Sequence, residues 1–145
     1  MQIPQTLHPF PKPTLVVVTD NVRAKLYLAT DRSVNLVHTI STKLEPMEQE
    51  RVAIRTGSGD MRSGEQHEHN EEWAREQLYG ELSTDLMHRL QNGAFEDLAL
   101  CAPEENMNEL KESLHMDLLK RASVFVEKHL TGEDPIDIVA YVQEA

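Results

Sequence analysis

Apolar residues recur along this chain in distinct rhythms. Leu15-Val16-Val17-Val18 is an unbroken run, the pattern of a strand buried on both faces, and it ends in the polar turn Thr19-Asp20-Asn21. Ala24, Leu26 and Leu28 then alternate with Lys25 and Tyr27, which predicts a strand with one face exposed. Thr30-Asp31-Arg32-Ser33 predicts a tight connection. Val34, Leu36 and Ile40 continue the period of two, interrupted by His38 on the same face. The first third reads as a three-stranded antiparallel meander.

From Ser41 to Gln66 no period is sustained; Val52-Ala53-Ile54 reads either as a short strand or as an anchor for a long loop. Around His67 the rhythm turns helical. Trp73, Leu78, Leu82, Leu86 and Leu90 share one broad face, while Glu71, Glu72, Glu76 and Glu81 fall largely elsewhere. Trp73 is expected to anchor this helix in the core, with a stacking platform for a base as the alternative. Gly80 costs about 1 kcal/mol relative to alanine inside a helix, so it is expected to mark a close packing contact. Asn92-Gly93 is a stop signal.

Leu98-Ala99-Leu100-Cys101-Ala102 predicts a second buried strand, and Pro103-Glu104-Glu105 opens a helix striped by Met107, Leu110, Leu114 and Leu118. Ser123 to Leu130 predicts a strand with Val124 and Val126 on one face and Phe125 on the other. Thr131-Gly132-Glu133-Asp134-Pro135 caps a final helix that offers Ile136, Val139, Ala140 and Val142 for packing. A meander followed by right-handed crossovers gives an α/β fold of ribonuclease-H-like, three-layer type, with a mixed five-stranded sheet.

Composition narrows the function more than the fold. The 145 residues suit a single domain, assigned to 14–145 with a long loop at about 41–66, behind a lead at 1–13. Four prolines make that lead an extended, semi-rigid segment, or alternatively a docking peptide. A net charge of −11 argues against broad, sequence-independent binding to phosphate backbones. With one cysteine, no signal segment and no long apolar run, a cytoplasmic location without membrane contact is expected. No cofactor is called for.

Candidate chemistry concentrates between residues 57 and 72. Gly57, Gly59 and Gly64 punctuate a polar loop that runs into the long helix. Arg51, Arg55 and Arg62 give it a locally basic character that suits either RNA contact or pairing with Glu48, Glu50 and Asp60. His67 and His69 converge on one metal ion if the backbone is extended, but diverge by roughly 200° if it is helical. Asp20, at the end of the first strand, stands where ribonuclease-H-like nucleases place a metal-binding carboxylate, with Asp97 as the available companion. The alternative is an acidic helix start with Asp20 capping a turn. Cys101 needs a nearby base to act as a nucleophile; otherwise it is a small buried apolar residue.

Three stretches carry a family resemblance: Val17-Val18-Thr19-Asp20-Asn21-Val22-Arg23-Ala24-Lys25-Leu26-Tyr27, Leu98-Ala99-Leu100-Cys101-Ala102-Pro103 with Asn108-Glu109-Leu110, and His129-Leu130-Thr131. In this order and spacing the chain resembles the bacterial host attachment protein family, a relative of the middle domain of archaeal and eukaryotic class I peptide-chain release factors. In those factors the loop between the third strand and the long helix carries a Gly-Gly-Gln tripeptide that acts on the peptidyl-tRNA ester. The matching segment here is Gly64-Glu65-Gln66, in which a glutamate restricts the backbone and opposes phosphate charge. The resemblance implies a lone release-factor-like domain, without codon-reading or GTPase-contacting partners in the same chain. It implies a non-catalytic module that meets the ribosome, tRNA or a protein partner through residues 41–69, or host attachment as the family name has it. A metal-dependent hydrolase at Asp20, His67 and His69 and an acidic protein-binding adaptor are the alternatives.

Overall fold

The computed structural model describes residues 1–42 and 63–145, and for 63–70 the backbone alone. Strands β1 (Phe10–Thr19), β2 (Arg23–Asp31) and β3 (Ser33–Ser41) come first, followed by the long helix α1 (Ser63–Gln91). Then come β4 (Asp97–Ala102), α2 (Glu104–Ser113), α3 (Met116–Arg121), β5 (Ala122–Glu127) and α4 (Pro135–Glu144). The sheet order is β3-β2-β1-β4-β5. The meander strands pair antiparallel, while β1–β4 and β4–β5 pair parallel. This is the expected mixed sheet.

The central strands explain the layering. Leu15 to Val18 and Leu98 to Ala102 are all buried, so both faces of the sheet need cover. On one face Leu15, Val17, Leu98 and Leu100 pack with Leu78, Leu82 and Leu86 of α1, Met107 and Leu110 of α2, and Leu118 of α3. On the other, Val16, Val18, Ala99, Cys101 and Val126 meet Ile138, Val139 and Val142 of α4. Each fully buried leucine contributes about 1.5–3 kcal/mol by leaving water.

Local signals set the ends of the elements. Asp31 takes a φ of 53° in the turn between β2 and β3, a conformation aspartate tolerates better than most residues. Gly93, at φ 72°, closes α1: its N–H bonds to Leu90 O at 3.0 Å and that of Ala94 bonds to Arg89 O at 2.9 Å. Asp134 Oδ1 accepts from Ile136 N at 3.0 Å ahead of Pro135 and so starts α4.

Several expectations are corrected. The lead is tied down: Ile3 is buried, Gln2 bridges to Ser33, and Ile3 N donates to Arg32 O at 2.8 Å. Residues 10–13 already belong to β1, and Pro11 and Pro13 fall where its register with β2 is irregular, so neither removes an N–H from the paired ladder. Trp73 is 41% exposed, because the buried stripe runs through Ala74, Leu78, Leu82 and Leu86, one helical position away. A Cβ at Gly80 would meet nothing within 4 Å, so no close packing explains that glycine. The stripe from Met107 to Leu118 spans two helices. They are parted at Leu114, whose extended backbone leads to His115, and His115 Nδ1 accepts from Asp117 N to start α3. Finally, β5 stops at Glu127, short of Leu130.

Candidate functional site

The C-terminal ends of β1 and β4 gather a network of polar side chains from five parts of the chain. Its base is the turn after β1. Asp20 Oδ1 accepts from Val22 N at 2.9 Å and Arg23 N at 2.8 Å, and Thr19 Oγ1 donates to Arg23 O at 2.9 Å. Asp20 Oδ2 accepts from Thr131 Oγ1 at 3.0 Å, which fastens the segment before α4 to the turn. Lys25 Nζ donates to Thr131 O at 2.9 Å from β2. The exposed imidazole of His129 lies 4.0 Å from Asp20 Oδ2 and pairs with it when protonated.

Asn21 carries the network to the helices. Its Oδ1 accepts from Asn106 Nδ2 of α2 at 2.9 Å and from Arg75 Nη1 of α1 at 3.3 Å. Arg75 Nε in turn donates to Glu109 Oε2, joining α1 to α2 in a half-buried ion pair. The hydrogen bond to Glu109 raises the guanidinium pKa, with burial opposing it and the Glu109 charge adding to it. Tyr79, one turn along α1, is fully buried, and its hydroxyl has no hydrogen-bond partner among the described residues. Burial above all, with the Glu109 and Asp20 charges, drives its pKa far upward, so it stays a neutral phenol.

The three stretches that carry the family resemblance meet at this network, through Asp20 and Asn21, Glu109, and His129 and Thr131. Arg75 and Asn106 complete it and left no signal in the sequence. Arg75 sits in a run of mixed charges, and a buried Asn106 looks like any polar helix residue until α1 is docked. What the network does is mechanical. Asp20 is held by two backbone N–H groups and a hydroxyl, so it caps its turn, and Arg75 fixes α1 against the sheet's end. Gln66 lies nine residues before Arg75, about 13 Å along the helix axis. The clamp therefore sets the direction in which the start of α1 leaves the sheet.

The other expected site residues separate. Gly64, Glu65 and Gln66, expected in a loop, have their backbone in the first turns of α1, as do His67 and His69; their side chains lie outside the described residues. Arg51, Arg55, Gly57, Gly59 and Arg62 lie outside them altogether, as do Val52-Ala53-Ile54. Asp97 does not join Asp20. Thr14 pairs with Asp97 and Val18 with Cys101, which puts Asp97 at the opposite end of the parallel ladder, about 20 Å away. Among the described residues no group of three His, Cys, Asp or Glu side chains is close enough to hold a metal ion. Cys101 is buried in the sheet, and burial pushes its thiol from the ordinary 9.0 up to about 12, the behaviour of a packing residue.

A second feature lies between β3 and α1. It is an open groove of about 820 Å³, walled by His38 to Ser41 on one side and by Glu76, Gly80, Glu81, Thr84 and Asp85 on the other.

The architecture defines the class: a three-layer α/β domain with a meander-plus-crossover sheet. Residues 13–142 match bacterial archaeo-eukaryotic release factor family 12, and the chain belongs to that family. Its fold is similar to that of an archaeal translation termination factor, with a TM-score of 0.50 and 14% identity over 82% of this chain and 31% of the other. A Saccharomyces cerevisiae translation termination-like factor involved in RNA quality control aligns with a TM-score of 0.47 and 13% identity, over 91% of this chain and 35% of its own. The chain thus spans about a third of either protein. No curated protein matches it. Among the described residues no helix is long and apolar enough to cross a membrane.

Proposed function

We propose that this chain is a non-catalytic release-factor-like module that associates with the translation apparatus, meeting ribosome or tRNA through residues 41–69 at the start of α1. The observation that carries this reading is the family match across residues 13–142, joined to the position of Gly64-Glu65-Gln66 at the head of the long helix. A release factor needs a glycine-rich loop there, free to bring its glutamine close to RNA. This chain places the triplet in helical backbone instead. A glutamate in the first turn favours that helix, because its charge complements the helix dipole. Glycine at the same position would cost the helix about 1 kcal/mol. Glu65 therefore removes both the backbone freedom and the charge compatibility that the hydrolytic tripeptide requires.

Contact with RNA would fall to Arg51, Arg55 and Arg62, since a chain of charge −11 offers little broad attraction to phosphate. The non-catalytic half of the proposal is tested by peptide release from ribosomes carrying peptidyl-tRNA in the P site. The chain is expected to release no peptide above the spontaneous rate, and release that depends on Gln66 would overturn it.

A further inference from the structure

Past Val34, where the N-terminal segment covers it, the edge of the sheet at β3 carries little of the usual protection. Its nine residues, Ser-Val-Asn-Leu-Val-His-Thr-Ile-Ser, contain no lysine, proline or acidic residue, the side chains that ordinarily discourage edge strands from pairing. Only a register irregularity opposite Leu26 and Tyr27 interrupts it, with Val37 as the extra residue. Leu36 and Val37 are 51% and 42% exposed. Among the described residues the outer side of β3 is met only at its start, where Gln2 bridges to Ser33 and Val34 N donates to Met1 O at 2.9 Å; from Leu36 to Ser41 no strand pairs with it.

Alongside this edge, α1 forms the far wall of the groove. Glu76, Glu81 and Asp85 give that wall a negative charge, offset in part by Arg89, which pairs with Asp85 at 2.8 Å. Gly80 stands between them without a side chain and with nothing within 4 Å of where a Cβ would be. The groove of about 820 Å³ between this flank and β3 is therefore open where a further strand would lie.

The register fixes what such a strand would carry. Ile40 and His38 pair with Ala24 and Leu26, whose side chains belong to the α1 face of the sheet; Leu36 pairs with Tyr27, which belongs to the α4 face. A strand added beside β3 would turn alternate side chains toward the glutamates of α1 and the others toward Leu36. We propose that β3 and α1 form a docking groove for an extended protein segment in which Lys or Arg alternates with apolar residues, bound by strand addition. The negative wall disfavours a nucleic acid here.

The test is a fluorescence-anisotropy titration of the full chain with a labelled eight-residue peptide of alternating lysine and valine. Saturable binding is expected. A peptide N-methylated at alternate residues keeps the charge but loses one hydrogen-bonding edge, and should bind at least 10-fold more weakly when that edge is the one facing β3. Glu76→Lys with Glu81→Lys, both on the exposed flank of α1, should also weaken binding at least 10-fold, and Thr84→Lys serves as a second variant should the double one unfold. Four results would overturn the proposal. These are no saturable binding, equal affinity for all N-methylated forms, tighter binding of an alternating glutamate–valine peptide or a single-stranded RNA, and a dimer abolished by Leu36→Lys, which would assign the edge to a second copy of the chain.

Discussion

Thr131 donates its hydroxyl hydrogen to Asp20 Oδ2 at 3.0 Å, joining two positions 111 residues apart at the end of the first strand. The same carboxylate caps its own turn through Val22 N and Arg23 N. One aspartate thus fixes the β1–β2 turn and the approach to α4.

Removing that carboxylate leaves two backbone N–H groups and a hydroxyl without their acceptor. Asp20→Ala is expected to destabilise the fold by about 2 kcal/mol, and Thr131→Val by about 1 kcal/mol. Urea unfolding followed by circular dichroism checks both. A cost for Asp20→Ala within error of zero would contradict the capping role.

Arg75 and Glu109 tie α1 to α2, and their side chains are 21% and 30% exposed. A double-mutant cycle with Arg75→Met and Glu109→Gln is expected to give a coupling of about 1 kcal/mol, at or above the top of the range for exposed pairs. Because the pair is only half-buried, 0.5 M salt should weaken the coupling without abolishing it. A coupling near zero at low salt would show that the clamp does not hold α1.

Alkali should destabilise the protein first through its buried thiol and, above pH 10, through the buried phenol of Tyr79 as well. Burial raises the pKa of Cys101 from 9.0 to about 12, so above pH 9 the unfolded chain ionises while the folded chain keeps its proton. Folded stability is therefore intact below pH 9 and falls progressively from there toward pH 12. The melting temperature should decline over this window in the natural chain and decline less in Cys101→Ala. Identical slopes would contradict the assignment.

Gly80 is exposed on α1 and touches nothing where a side chain would stand. Gly80→Ala should raise stability by up to about 1 kcal/mol, the helix-propensity difference. Thermal unfolding measures it, and a loss of stability would reveal a contact that the geometry does not show.

Much of the architecture was legible in the sequence because the central strands are nearly continuous apolar runs that only a doubly covered sheet can bury. The errors were of phase and continuity. Trp73 and Ala74 differ by one position, about 100° around the helix, and the smaller side chain faces the core. Leu110, Leu114 and Leu118 keep a spacing of four, and all are buried across the break between α2 and α3, so their period hides that break. It takes the cap made by His115 to reveal it.

The site was half legible. Asp20 announces itself as a polar residue ending a buried strand, whereas Arg75 and Asn106 acquire meaning only when α1 and α2 are docked against the turn. The glycine-glutamate-glutamine triplet reads as loop in the sequence although its backbone belongs to α1, because polar residues preceding a helix resemble those that begin one.

The claim that matters most is association with the translation apparatus, and ribosome co-sedimentation at low salt tests it most directly. The natural chain is expected to travel with ribosomes, and Arg51→Glu, Arg55→Glu and Arg62→Glu together should return it to the supernatant while circular dichroism shows the fold intact. If the natural chain stays wholly in the supernatant at low salt, the account of this protein as a ribosome-associated release-factor-like module is wrong.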